Sequence, residues 1–371
     1  MRCQTFHFVS RFAAACLTLA AATACSTAPA GSVAAADNSA ASAPSAPAAP
    51  AVEVASSPAA GPMVFDDEVT LDNGHVYLGI SPRVGRVVSF GPVTHPQGLP
   101  ATDSAPPPDL IWTADADAAD HATPGQAIPD QRYINFGGDK LWVAPQHSWA
   151  RATGNSGWPP EGVIDGQPWK ITQQTDTSLT LQSQPSPHFH VVATRRFELL
   201  HDQPQVKITN TLLRTRPNPF PVQAWTITQV RVPRQVVMDI AATRPLDETH
   251  RPLTTTTPEK TAGDVQLLDD DSALAWDIGP EDDAKIGTFG RWIAAVYDHH
   301  TFLQRIDLDP DGAYPDASNL QTYRGAGYVE LETLGPAVQL TAGQSTTAVV
   351  HWHLLTHDTP PTPTTLDEQQ D

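Results

Sequence analysis

Beyond residue 25 the chain has no cysteine: its three thiols are Cys3, Cys16 and Cys25. That absence excludes disulfides, thiolate metal sites and a cysteine nucleophile from everything downstream. Basic residues are scarce as well, 22 Lys and Arg against 41 Asp and Glu, for a formal net charge of −19. So acidic a surface repels nucleic acid and anionic lipid head groups, so no nucleic-acid partner is expected and a neutral ligand is the natural one. No stretch after the N-terminal segment reaches the roughly 20 apolar residues needed to span a bilayer. Also missing are a Gly-x-Ser-x-Gly nucleophile elbow and a glycine-rich phosphate loop, and no cofactor is expected. No segment of useful length carries an amphipathic helical period.

The N-terminus, by contrast, has a readable pattern. Arg2 and Arg11 precede a small apolar run, Phe12 to Ala24, and Ala22-Thr23-Ala24-Cys25 is similar to a bacterial lipobox. The expectation is a lipoprotein signal peptide over residues 1–24, cleaved before a lipidated Cys25. Cys16 is the rival site, but only Phe12 to Ala15 precedes it, shorter than the roughly 7 to 15 residues such a region needs. An ordinary secretory peptide with an incidental cysteine is the other alternative. With Ser26 next to the lipidated residue, resemblance to Gram-negative lipoproteins implies sorting to the outer membrane, facing the periplasm, with the lipid as the only membrane contact. From residue 26 to about Pro62 the chain is almost wholly Ala, Pro, Ser and Gly, which cannot bury enough surface to fold. Residues 25–62 therefore read as a tether. Residues 357–371, with Thr-Pro repeats and acids, read as a disordered tail.

Residues 63–356 are expected to form one domain. Short alternating runs bounded by Gly, Pro, Asn and Asp recur: Val69 to Ile80 interrupted at Asn73-Gly74, then Val84 to Phe90, Trp169 to Gln174, Ser178 to Ser183, His188 to Leu199 and Gln205 to Leu213. Val222 to Val232, Ile286 to Tyr297, Thr301 to Ile306, Tyr328 to Thr333 and Thr346 to Leu355 continue the series. Asn73-Gly74 is a strong hairpin signal. The class is all-β, a large antiparallel sandwich. The acidic stretch Leu246 to Asp283 reads as long solvated connections.

The run Tyr133 to Gln146 stands apart. It packs Asn135, Gly137-Gly138, the ion pair Asp139-Lys140 and Trp142 into fourteen residues, a combination no ordinary core strand needs. Paired glycines allow a sharp turn or close backbone approach, and the polar set beside an indole suits a polyhydroxylated ligand.

Three ordered segments resemble the galactose-mutarotase-like superfamily, and within it a family of uncharacterised bacterial proteins. They are Leu71-Asp72-Asn73-Gly74 through Val84 to Phe90; the Gly137-Gly138 motif with Trp142 and Pro145; and Tyr314-Pro315-Asp316 followed by Tyr328 to Pro336, Leu340, Gly343 and Trp352. For the superfamily's sugar epimerases the resemblance implies a glutamate base near the C-terminus and histidine acids. Glu332 matches the base, and Glu330 lies two residues away on the same strand face, close enough to raise one pKa. The alternative for both is a plain surface ion pair. Phe136 stands where the family has its first histidine, and Pro219 to Thr228, where the second is expected, contains none. Lys140 is then the substitute proton donor, although Asp139 beside it is expected to hold it charged and structural. The expected substrate-binding set, chosen for hydrogen-bonding groups and indole faces suited to a sugar, is Arg86, Asn135, Gly138, Asp139, Trp142, Trp225, Tyr314, Asp316 and Glu330, with Trp142 the best aromatic platform and Trp149, Trp158 and Trp169 at its rim.

Metal sites are not expected. Asp307, Asp309, Asp311 and Gly312 copy the first half of a calcium loop, but the twelfth position is Ser318 where the bidentate Glu belongs. His188/His190 and His351/His353 place paired imidazoles on strand faces without a third ligand. The sequence thus points to an envelope lipoprotein whose sandwich binds a neutral saccharide; the alternatives are an aldose 1-epimerase-like enzyme with Glu332 as base, and a structural protein without ligand.

Overall fold

The computed structural model describes residues 63, 65–93, 109–114, 133–154, 157–241, 250–255, 265–268, 272–279 and 284–369. The signal peptide, Cys25 and the tether lie outside the described residues. Nineteen strands are described. They begin with β1 (Val69–Asp72), β2 (Val76–Ser81), β3 (Arg86–Pro92), β4 (Asp139–Ala144), β5 (Lys170–Gln174) and β6 (Ser178–Gln182). Next come β7 (Val191–Leu199), β8 (Gln205–Arg214), β9 (Gln223–Arg231), β10 (Gln235–Asp239), β11 (His250–Thr255), β12 (Val265–Leu268) and β13 (Ala273–Asp277). The last six are β14 (Ala284–Thr288), β15 (Trp292–Val296), β16 (His300–Ile306), β17 (Leu320–Gly325), β18 (Tyr328–Leu334) and β19 (Ser345–Thr356).

One sheet runs β1-β2-β3-β4-β9-β18-β17-β14-β11 and the other β12-β13-β10-β15-β16-β19-β8-β7-β6-β5, with every pairing antiparallel. This is the expected all-β sandwich. The two layers meet through alternate side chains, as a period-2 strand dictates. Phe90 of the first sheet packs 5.1 Å from Phe302 and 5.3 Å from Trp352 of the second. At the centre of the same interface sits a polar knot: Arg195 on β7 pairs with Asp139 on β4, Thr228 donates to Asp139 at 2.8 Å, and Gln304 donates to Thr228 at 2.8 Å.

Local chemistry sets the turns. At the Asn73-Gly74 hairpin, the Asn73 Oδ1 accepts the backbone N–H of His75 and Val76, and Gly74 takes φ 86°. The run Ile286 to Tyr297, read as one strand, is two. β14 belongs to the first sheet and β15 to the second, and the crossing occurs at Gly290, where a Cβ would lie 2.4 Å from the Asp239 carbonyl oxygen. Both halves are apolar, so hydrophobicity alone hid the break.

Further expectations need correcting. Asp139–Ala144 is an ordinary core strand after all, buried at every residue and placed between β3 and β9. Within the acidic stretch 246–283, the described pieces form β11, β12 and β13 in addition to connections. His188-Phe189-His190 lies in a turn, not a strand. After β4 the chain makes a 3-10 turn (Gln146–Ser148) and two short α-helices, α1 (Trp149–Thr153) and α2 (Gly162–Gly166). The tail after His357 is not structureless: α3 (Pro363–Asp367) buries Leu366 completely against the outside of the second sheet, beside Trp292, Leu303 and Val237.

Candidate functional site

Register builds the site. Residues directly opposite one another in neighbouring strands share a face. Lys140 faces Ile227, Ile227 faces Glu332, and Glu332 faces Gln321. The adjoining row carries Gln229, Glu330, Tyr323 and Lys285, and the row on the other side carries Trp142, Trp225 and Leu334. Asp139, Thr228 and Leu331 take the opposite parity and point toward the second sheet. The face holding Lys140 and Glu332 is therefore the one turned away from the sandwich interior.

On that face two ion pairs run diagonally between rows. Lys285 Nζ lies 2.7 Å from Glu332 Oε2, and Lys140 Nζ lies 3.6 Å from Glu330 Oε1. The Trp225 indole donates to the same Glu332 Oε2 at 2.8 Å, while Gln229 donates to Glu330 at 2.8 Å. Glu332 is wholly buried, and its Oε1 has no hydrogen-bond partner among the described residues. Burial pushes its carboxyl up to about 7; the Glu330 charge adds to that rise, and Lys285 and Trp225 oppose it. Burial also lowers the Lys140 ammonium, with the Glu330 carboxylate pulling the other way.

Aromatic rings frame these charges. Lys140 Nζ sits 4.8 Å above the Trp142 ring, and Lys285 Nζ 4.7 Å above Trp225. Trp142 and Trp225 meet edge to face at 5.3 Å, with Trp149 against both. Tyr133 receives a hydrogen bond from Lys140 at 3.3 Å and donates to Asn135 at 3.4 Å. Tyr328 and Trp112 stack at 4.6 Å, with Tyr323 6.5 Å from Tyr328.

Glu332, Lys140, Glu330, Trp142 and Trp225 are thus brought together, with Asn135 joined through Tyr133. Asp139 is not among them. It is completely buried on the other face, where its carboxylate pairs with Arg195. Arg86 is likewise a support, enclosed against Asp165 at 2.7 Å and the Gly137 carbonyl at 2.7 Å. The same Asp165 accepts the Trp142 indole N–H at 2.5 Å, which fixes Trp142 in place. With 5% of its surface exposed, Trp142 is a wall residue and not an open platform. Gly138 acts through its backbone: φ is +79°, and a Cβ would lie 2.4 Å from the Val87 carbonyl oxygen. Tyr314 packs with Phe289, Ala241 and Leu308 in a separate cluster, and its loop, carrying Asp316, folds back on Pro336 at Gly312. Phe136 is buried among Met63, Phe65, Val84, Val88 and Ile134, beneath the Arg86 guanidinium. The half calcium loop forms an acidic turn in which Asp309 accepts the Asp311 N–H, and no group of three or more His, Cys, Asp or Glu suited to a metal occurs among the described residues.

Sequence reasoning missed Lys285, Tyr133, Tyr323 and Asp165. Lys285 lies just outside the alternating run that starts at Ile286, and parity places it on the Glu332 face only once the strand order is known.

The family described as "Domain of unknown function (DUF4380)" matches residues 67–355, from just before β1 to the end of β19. The chain belongs to that family. No curated protein matches the sequence. Among solved structures, a galactose mutarotase-like protein from Lactobacillus casei ATCC 334 is 12% identical with a TM-score of 0.50, over 78% of this chain and 100% of that one. A TPR-domain containing protein from Parabacteroides distasonis ATCC 8503 is 14% identical with a TM-score of 0.50, over 82% of this chain and 48% of that one. At such identities the likeness is one of fold. The DUF4380 domain is a galactose-mutarotase-like sandwich, as the three sequence segments led one to expect.

Proposed function

We propose that the DUF4380 domain binds a neutral carbohydrate on the outward face of its nine-stranded sheet. The supporting observation is the set of two Lys–Glu pairs, Lys140–Glu330 and Lys285–Glu332, enclosed by tryptophan and tyrosine rings. Sugars present hydroxyls at their edges and C–H groups on their faces, and a site with fixed polar groups among aromatic walls complements both. The paired charges cancel, which suits an uncharged ligand. Calorimetry on the purified protein with neutral mono- and oligosaccharides tests the reading: binding is expected, weakened about tenfold or more by Glu330→Gln. Silence with every sugar overturns it.

A second reading, sugar epimerisation, is favoured by one specific observation, the unpartnered Oε1 of a buried Glu332 whose carboxyl is pushed to about 7. A base of that strength is half-ionised near neutrality, where proton transfer is most effective. The positions facing it, Ile227 and Gln321, hold no histidine; in this reading Glu332 takes the anomeric hydroxyl proton and Lys140 or Lys285 donates one to the ring oxygen as the ring C–O bond breaks. Polarimetry on fresh α-aldose solutions decides: acceleration lost in Glu332→Gln supports it, and an unchanged rate with excess protein rejects it.

We also infer an outer-membrane lipoprotein anchored at Cys25, facing the periplasm, supported by Arg2, Arg11, the apolar run before Ala24-Cys25 and the Ala/Pro/Ser-rich tether. Labelled palmitate is expected in the wild type and absent from Cys25→Ser. Retained label in that variant, with loss in Cys16→Ser, assigns the anchor elsewhere.

A further inference from the structure

The carbohydrate reading leaves open which ring a sugar would lie against, since Trp142 and Trp225 are each only 5% exposed. Of the nine tryptophans, Trp158 alone is exposed, at 45%. It is also attached to the site: its ring centroid lies 4.9 Å from Tyr133, 5.8 Å from Trp142 and 6.2 Å from Trp149. Tyr133 in turn touches Lys140, whose ammonium pairs with Glu330. An exposed indole at the end of a buried aromatic stack, one side chain removed from a fixed ion pair, is an unusual place to leave a large apolar surface in water.

The local sequence restricts the backbone that carries that ring. Trp158 is followed by Pro159-Pro160, which restrict the backbone of Trp158 itself and of the next two residues, and is preceded by Gly157 at φ +94°. A platform on a restricted backbone loses less conformational freedom on binding than one on a free loop.

The geometry points to Trp158 as the stacking platform of the site, taking the C–H face of a neutral pyranose while that ring's hydroxyls reach Glu330, the more exposed member of the Lys140–Glu330 pair. This rests on the carbohydrate reading and assigns its specificity: sugars with a continuous axial C–H face are preferred, and charged sugars gain nothing from the balanced Lys140–Glu330 pair. Trp142, Trp149 and Trp225 support the platform from behind.

The experiment uses the full chain with D-glucose, D-galactose and lactose as probes. Binding to Trp158→Ala should weaken by about tenfold or more while Trp158→Phe, which keeps an apolar ring, stays within about threefold of wild type. In the wild type, saturating sugar should shield indole emission from acrylamide, because Trp158 is the exposed ring, and this readout needs no variant to fold. If wild type binds a probe, but Trp158→Ala binds it within about twofold and acrylamide access is unchanged, the platform is elsewhere and the carbohydrate reading survives. If wild type binds none of the probes nor any other neutral sugar, that reading falls and the platform with it.

Discussion

Lys285 and Glu332 touch at 2.7 Å although 47 residues and one intervening strand, β17, separate them. The contact fixes the direction of a pH effect. Burial raises the Glu332 carboxyl to about 7, and Lys285 is the largest influence holding it down. In the unfolded chain the group titrates near roughly 4.3. Between those values the folded state keeps a proton that the unfolded state has released, so stability falls as pH rises through that window, and the penalty is complete above it. Glu332→Gln should flatten this slope, and Lys285→Met should move its upper end above 7. Urea unfolding in steps across the window reads both, and an unaltered slope in Glu332→Gln contradicts the assignment.

Asp139 and Lys140 adjoin in sequence but serve opposite faces, and their variants should separate stability from binding. Asp139→Ala strands a fully buried Arg195 and should cost roughly 3–5 kcal/mol, measured as a lower urea midpoint. Lys140→Met keeps most of the stem that packs on Trp142 and removes the cation. It should cost less stability than Asp139→Ala while weakening sugar binding more. Equal stability losses would mean that Lys140 is a structural cation like Arg195.

That contrast also shows what the sequence could and could not reveal. Alternation along Tyr328 to Leu334 places Glu330 and Glu332 on one face without knowledge of any neighbour, and Asn73-Gly74 specifies a hairpin by itself. Which face a strand turns to a ligand depends instead on its neighbours. The polarity of Asp139-Lys140 signalled a site, but half of it is the inter-sheet knot with Arg195, whose partner lies 56 residues away. Lys285 was invisible for the same reason, since only the order β9-β18-β17-β14 brings it to Glu332. Trp158 and Trp142 look alike as letters, and burial alone distinguishes wall from platform.

The glycine pair gives a purely steric prediction. Gly137 has φ +81°, and a Cβ there would lie 2.4 Å from the Trp112 carbonyl oxygen and from the Thr113 Cα; Gly138 would meet the Val87 carbonyl at the same distance. Backbone cannot swing aside as a side chain does. Gly137→Ala and Gly138→Ala should each destabilise by at least the roughly 1–3 kcal/mol of a strained left-handed residue, and the displaced β4 should weaken binding as well. Gly154→Ala is the control. It is also left-handed, at φ +75°, but a Cβ there meets nothing within 4 Å, so only the conformational share of the cost should appear.

The tail supplies the last test. Thr362 caps α3 by accepting the Thr365 N–H, Arg305 donates to the Leu366 carbonyl at 2.9 Å, and the Leu366 side chain is fully enclosed. Its neighbours are Trp292, Leu303, Val237 and Ala294 on the outer surface of the second sheet, so removing the tail exposes them together. Leu366→Ala should cost roughly 2–5 kcal/mol, the usual range for a buried leucine, and truncation after His357 at least as much. Thr362→Ala, which removes only the cap, should cost about 1 kcal/mol. The proposed sugar site lies on the other sheet, so saccharide affinity at low temperature should be unchanged in all three variants. A truncated chain as stable as wild type would return residues 358–371 to the status their composition suggested, a solvated appendage.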